Sequence, residues 1–159
     1  MMRTTTVAER ELTRAPSPRD VFERARRCVL ARDANGFADL FAPDAVVEYP
    51  FGARAVGLPP YLEGREQIRG HLTAAMRRSR AAGGRMIAYD AVVVHETTDP
   101  EVIIVEFDLM GELSATGQTY QLPYVQVFRI RDGAIVTMRD YFSGKRLAEV
   151  MQLVEPPRG

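Results

Sequence analysis

Between Glu101 and Phe142 the chain carries three consecutive β-patterned runs, EVIIVEFDLMGEL, QTYQLPYVQVFRI and AIVTMRDYF, separated only by Ser114-Ala-Thr-Gly117 and Arg131-Asp-Gly133. Connections this short and rich in turn residues favour hairpins, so the three runs are expected to form a mainly antiparallel sheet. In the first run, period-two alternation places Val102, Ile104, Glu106, Asp108 and Met110 on one face and Ile103, Val105, Phe107 and Leu109 on the other. Both faces are largely apolar. In the third run Val136, Met138, Asp140 and Phe142 share a face. Burying an ionised carboxylate without partners costs several kcal/mol, so Glu106, Asp108 and Asp140 are the residues most in need of a functional account.

The remaining chain narrows the classes available. With 159 residues it is long enough for one domain with its own apolar core. Lys plus Arg equals Asp plus Glu at 21 each, which argues against a nucleic-acid partner. The arginine clusters 24/26/27 and 77/78/80 fall on helical patterns and read as solvated faces. Cys28 stands alone and fits a small core position, while His71 and His95 are too far apart to suggest a metal cluster. His71 reads as a structural histidine and His95 as an exposed one. No run approaches a membrane span and the first residues lack a signal-peptide core, so a cytoplasmic protein with no membrane partner and no cofactor is expected.

Residues 1–16 are polar and without period, a tail by composition, and 155–159 form a Pro-containing tail; 17–154 are expected to make up the domain. Ser17-Pro18-Arg19-Asp20 is a helix start, followed by Val21, Phe22, Ala25, Cys28 and Val29 at helical spacing. Asp33–Gly36 should break that helix, with a short second one over Phe37–Phe41 and a strand over Ala45–Tyr49. Residues 51–60 read as a loop able to cover a pocket mouth. A third helix from Gly64 carries the stripe Ile68, Leu72, Ala75 and Met76 and closes at Gly83-Gly84. A strand over Arg85–His95, the three central runs and a helix over Lys145–Val154 complete an α+β order, with helices packed on a curved, mixed but mainly antiparallel sheet.

Three segments, LFAPDAVVEYPFG, YLEGREQIRGHL and TGQTYQLPYVQVFRIRDGAIVTMRDYF, together resemble the SnoaL-like branch of the nuclear transport factor 2-like superfamily over residues 18–152. That resemblance implies a cone-shaped α+β fold, a homodimer, and a deep apolar cavity between sheet and helices for a small-molecule substrate. The superfamily includes ketosteroid isomerase, limonene epoxide hydrolase, polyketide cyclases and catalytically silent binding proteins, so the fold alone fixes no reaction. Against ketosteroid isomerase, the base Asp is replaced by Tyr49, the oxyanion Asp by Gln126 and the oxyanion Tyr by the region of Ala25. Against limonene epoxide hydrolase, Asp108 and Asp140 match its two carboxylates. Its bridging Arg falls at Glu106, and its water-holding Tyr and Asn fall at Val47 and Tyr49.

If Glu106, Asp108 and Asp140 shared one cavity without a cation, at least one would hold a proton near neutrality, giving an acid and a base together. Tyr49 is then a candidate donor to a carbonyl or enolate oxygen, with Tyr120, Tyr124, Gln126, Met138, Phe142 and Phe22 as candidate substrate contacts. The leading expectation is a cofactor-independent acid–base enzyme acting on an apolar oxygenated molecule of polyketide or terpenoid type, by isomerisation, cyclisation or dehydration. Alternatives are epoxide hydrolysis or epoxide-opening cyclisation, and ligand binding without catalysis. Geometry separates the first two. Asp108 and Asp140 on one cavity favour epoxide opening; Asp140 alone with Tyr49 favours the isomerase or cyclase.

Overall fold

The computed structural model describes residues 14–51 and 53–154; the tail positions 1–13 and 155–159 lie outside the described residues. Ser17 Oγ accepts a hydrogen bond from the Asp20 amide at 3.2 Å, and the Asp20 carboxylate accepts from the Ser17 amide at 3.0 Å. This reciprocal cap, with proline at the first position, starts α1 (Pro18–Ala31) where the sequence placed it. The next segment differs from expectation. Arg32 adopts the left-handed conformation that ends α1, and Asp33 then caps a new helix, α2 (Ala34–Ala38), by accepting from the Gly36 amide at 2.8 Å. The first helix does break here, as expected, but the second starts at Ala34 instead of Phe37, because the Asp33 carboxylate satisfies an amide that a loop would leave to water.

The chain continues through β1 (Phe41–Glu48), a 3-10 turn (Ala53–Val56), β2 (Tyr61–Glu63), α3 (Arg65–Ala81), β3 (Gly84–Glu96), β4 (Val102–Leu113), β5 (Thr119–Arg131), β6 (Ala134–Phe142) and α4 (Gly144–Val154). The strands form one sheet in the order β2-β1-β6-β5-β4-β3. The β1/β6 pair is parallel and the other pairs are antiparallel, which is the mixed, mainly antiparallel α+β arrangement expected. Two features escaped the sequence reading. The three-residue β2 is too short for a pattern, and β1 begins at Phe41 because a register shift between Phe41 and Val46 accommodates Pro43. The β5–β6 hairpin turns on Asp132 and Gly133, both at positive φ (50° and 77°), the Asp-Gly signature of a type I′ turn.

Which sheet face is buried is decided by aromatic packing. Phe107 stacks between Tyr89 and Tyr124, with ring centroids 4.5 and 5.4 Å away, and Phe22 of α1 closes on Tyr89, Phe107 and Phe128 at 6.0–6.4 Å. Full burial of a side chain such as Phe22 contributes roughly 1.5–3 kcal/mol. With Phe107 committed inward, alternation carries Ile103, Val105, Leu109 and Leu113 into the core as well. Glu106 and Asp108 are thereby sent to the other face. A two-residue period leaves no alternative.

Candidate active site

Asp140 on β6 and Gln126 on β5 are cross-strand partners on the helix-facing side, and Gln126 Nε2 donates to Asp140 Oδ1 at 3.0 Å. Asp140 as a whole is only 9 % exposed. Burial pushes its carboxyl up to about 7, against the downward pull of the Gln126 hydrogen bond. It borders a cavity of about 320 Å³ whose sheet side is formed by Tyr49, Tyr120, Leu122, Tyr124 and Phe142 and whose helix side is formed by α3 and α4. Burial first, and the neighbouring Asp140 charge second, push the Tyr49 and Tyr124 phenols up, so both keep their protons. The Tyr49 ring packs edge-on to Phe142 and lies 6.2 Å from the imidazole of His71. That imidazole is held below its ordinary value by partial burial and then by Arg78, which keeps it neutral.

The structure does not bring the three carboxylates together. Glu106 and Asp108 lie on the outer face, where Glu106 Oε2 sits 2.7 Å from His95 Nε2 and Asp108 stands opposite Asp90 and Pro123. Their backs are to the cavity because Phe107 between them points into the core. Among the proposed substrate contacts, Phe22 and Met138 are sealed in the core at 1 % and 6 % exposure and do not line the cavity. Gln126 reaches the site through Asp140, while Tyr120, Tyr124 and Phe142 line it from their strands and Tyr49 from the position just after β1.

Helix residues were missed. His71, Leu72, Ala75 and Arg78 of α3 and Leu147, Val150 and Met151 of α4 all face the cavity. Of the predicted α3 stripe only Ile68 is fully buried; Leu72, Ala75 and Met76 remain partly accessible because they border space instead of side chains. A second apolar chamber of about 180 Å³ shares Leu72, Ala75, Ser79 and Met86 with the first, extending it toward Val29 and Phe37. On the sheet side Gly111 gives Tyr120 its place: a Cβ there would meet the phenol ring at 2.1 Å. Among the described residues no group of three or more His, Cys, Asp or Glu is placed to hold a metal ion, and no helix is long and apolar enough to cross a membrane.

Comparison with known proteins bears on the family and the fold. An uncharacterized PhzA/B-like protein of Pseudomonas aeruginosa is 30% identical over 137 residues, spanning 86% of this chain and 92% of that one. Among solved structures, a Bacillus subtilis protein provisionally assigned as an isomerase superposes with a TM-score of 0.70 at 25% identity, covering 82% of this chain and 89% of its own. A Pseudomonas putida protein provisionally assigned as a polyketide cyclase shares the fold, with a TM-score of 0.60 at 20% identity over 82% of this chain and 94% of its own. The SnoaL-like domain profile matches residues 22–138, most of the chain. Fold, cavity and profile together place the chain in the SnoaL-like domain family of the nuclear transport factor 2-like superfamily.

Proposed function

We propose that the cavity is the active site of a cofactor-independent isomerase or cyclase that moves protons on an apolar, oxygenated small molecule of polyketide type. The observation that carries this reading is Asp140, a buried carboxyl poised near neutrality at the wall of an apolar cavity and oriented by Gln126. As the carboxylate, Asp140 takes a proton from the carbon next to a carbonyl. Tyr49, protonated at all physiological pH, donates to the oxygen on which charge develops, with neutral His71 beside it. Asp140, now neutral, returns the proton at another position. Asp108 faces away from Asp140, so the pair that epoxide opening requires is absent from the cavity and that reading loses its support.

A direct test uses 2-tetralone, an apolar ketone with acidic α-protons, incubated with the protein in deuterated buffer and followed by proton NMR. The α-proton signal is expected to fade faster with the protein than in buffer alone. Binding of the ketone without accelerated exchange would instead favour a ligand-binding protein without catalysis. The same proposal includes a homodimer, supported by exposed Phe51, Val93 and Val125 beside Tyr141 on the outer sheet face. Sedimentation velocity is expected to report twice the chain mass, and a monomer at micromolar concentration would remove that part.

A further inference from the structure

His71, Ala75 and Arg78 follow one another along a single face of α3 and all border the cavity. Seven residues of α-helix rise about 10 Å, so the Arg78 backbone stands about that far along the cavity from the His71 end. Arg78 is exposed and also lines the cavity, so its charge is open to both solvent and the cavity. Its surroundings give it no internal employment. Arg69 on the same helix is held by Asp39 and Glu66, and Arg85 at the start of β3 by Glu112. Among the described residues Arg78 has no carboxylate partner. Among the inner groups the phenols stay protonated and His71 is neutral, so Asp140, half protonated near pH 7, is the one of them that carries charge. An inner end bearing neutral donors and one titrating carboxyl, joined to an end bearing one permanent cation, is complementary to a ligand that is polar at one end and anionic at the other, with the anion at Arg78 and away from Asp140.

Building on the proton-transfer reading of the same cavity, we infer that its substrate is an organic anion: an apolar ring system with a carboxylate or comparably acidic group held at Arg78. The reacting oxygen would lie at Asp140, Tyr49 and His71, which line the same cavity. A planar guanidinium suits a carboxylate because two of its N–H groups can engage both oxygens. A cavity of about 320 Å³ has room for a fused bicyclic skeleton.

The experiment titrates wild type, Arg78→Gln and Arg78→Lys with 6-hydroxy-2-naphthoate and its neutral analogue 6-hydroxy-2-naphthamide, followed by naphthol fluorescence. Wild type is expected to bind the acid about tenfold or more tightly than the amide, the scale of one charged hydrogen-bond pair. Arg78→Gln should remove that preference while leaving amide binding within about twofold, and Arg78→Lys should restore part of it. Equal binding of acid and amide by wild type overturns the anion inference alone and leaves the cavity as a site. Loss of both ligands in Arg78→Gln also overturns it, since the residue would then be shaping the pocket. Failure of wild type to bind either probe overturns both this inference and the cavity reading beneath it.

Discussion

Asp140→Asn is expected to lower kcat/KM by about 10²- to 10⁴-fold on any substrate the wild-type protein turns over, the range a single positioned acid–base group contributes. The asparagine oxygen can still accept from Gln126 Nε2, so the variant keeps the local hydrogen bond and loses only the ability to take and return a proton. The pH profile makes the test specific. Because proton abstraction needs the carboxylate and burial pushes Asp140 up to about 7, wild-type kcat/KM should rise with pH and level off above about 7. In the variant the residual rate should lose that inflection. A rate unchanged by the substitution would remove Asp140 from the chemistry. A profile that falls through the same pH would make Asp140 the acid instead of the base.

Much of this site was legible in the sequence, and the misses have a common origin. Asp140 could be read because its neighbours on the strand, Met138 and Phe142, leave no polar surroundings for it. Tyr49, Tyr120 and Tyr124 could be read because strand alternation and the resemblance agree on their direction. Glu106 and Asp108 could not, since both faces of β4 are apolar and alternation states only that the two sets point oppositely. The stacking of Tyr89, Phe107 and Tyr124 breaks that tie, and it involves residues from three strands that no local pattern joins. His71 and Arg78 were assigned to structure and to solvent for a similar reason. A helix facing a cavity carries the same stripe as one facing a core, and only incomplete burial of Leu72, Ala75 and Met76 distinguishes them. Asp33 is a different case: its cap is local, but Asp-Ala-Asn-Gly satisfies turn chemistry as well as helix-start chemistry.

The same substitution that removes activity should raise stability, and by an amount set by pH. Asp140 has an ordinary value of 3.8 and a folded value of about 7, so between those limits the folded protein holds a proton that the unfolded chain releases. Stability therefore falls as pH rises from about 4 to about 7, and above 7 the wild type carries the full cost of a buried carboxylate. At about 1.4 kcal/mol per pKa unit, that cost is roughly 4 kcal/mol. Asp140→Asn carries no such charge. Urea or thermal unfolding should find the variant similar to wild type near pH 4, where both side chains are neutral and the extra amide N–H offsets part of any gain. Above pH 7 it should be more stable, with a melting temperature higher by on the order of 10 °C. Glu101, Asp20 and Asp99 are held below their ordinary values by hydrogen bonds and arginine neighbours, and they lose their contribution as pH falls; being unchanged in the variant, they cancel in the difference. Parallel pH curves for the two proteins would mean that Asp140 ionises in the folded protein as easily as in water, and the poised acid–base group would then have no physical basis. A diverging pair of curves, together with lost turnover, would show a chain that keeps a costly carboxylate in its cavity wall because the reaction needs it there.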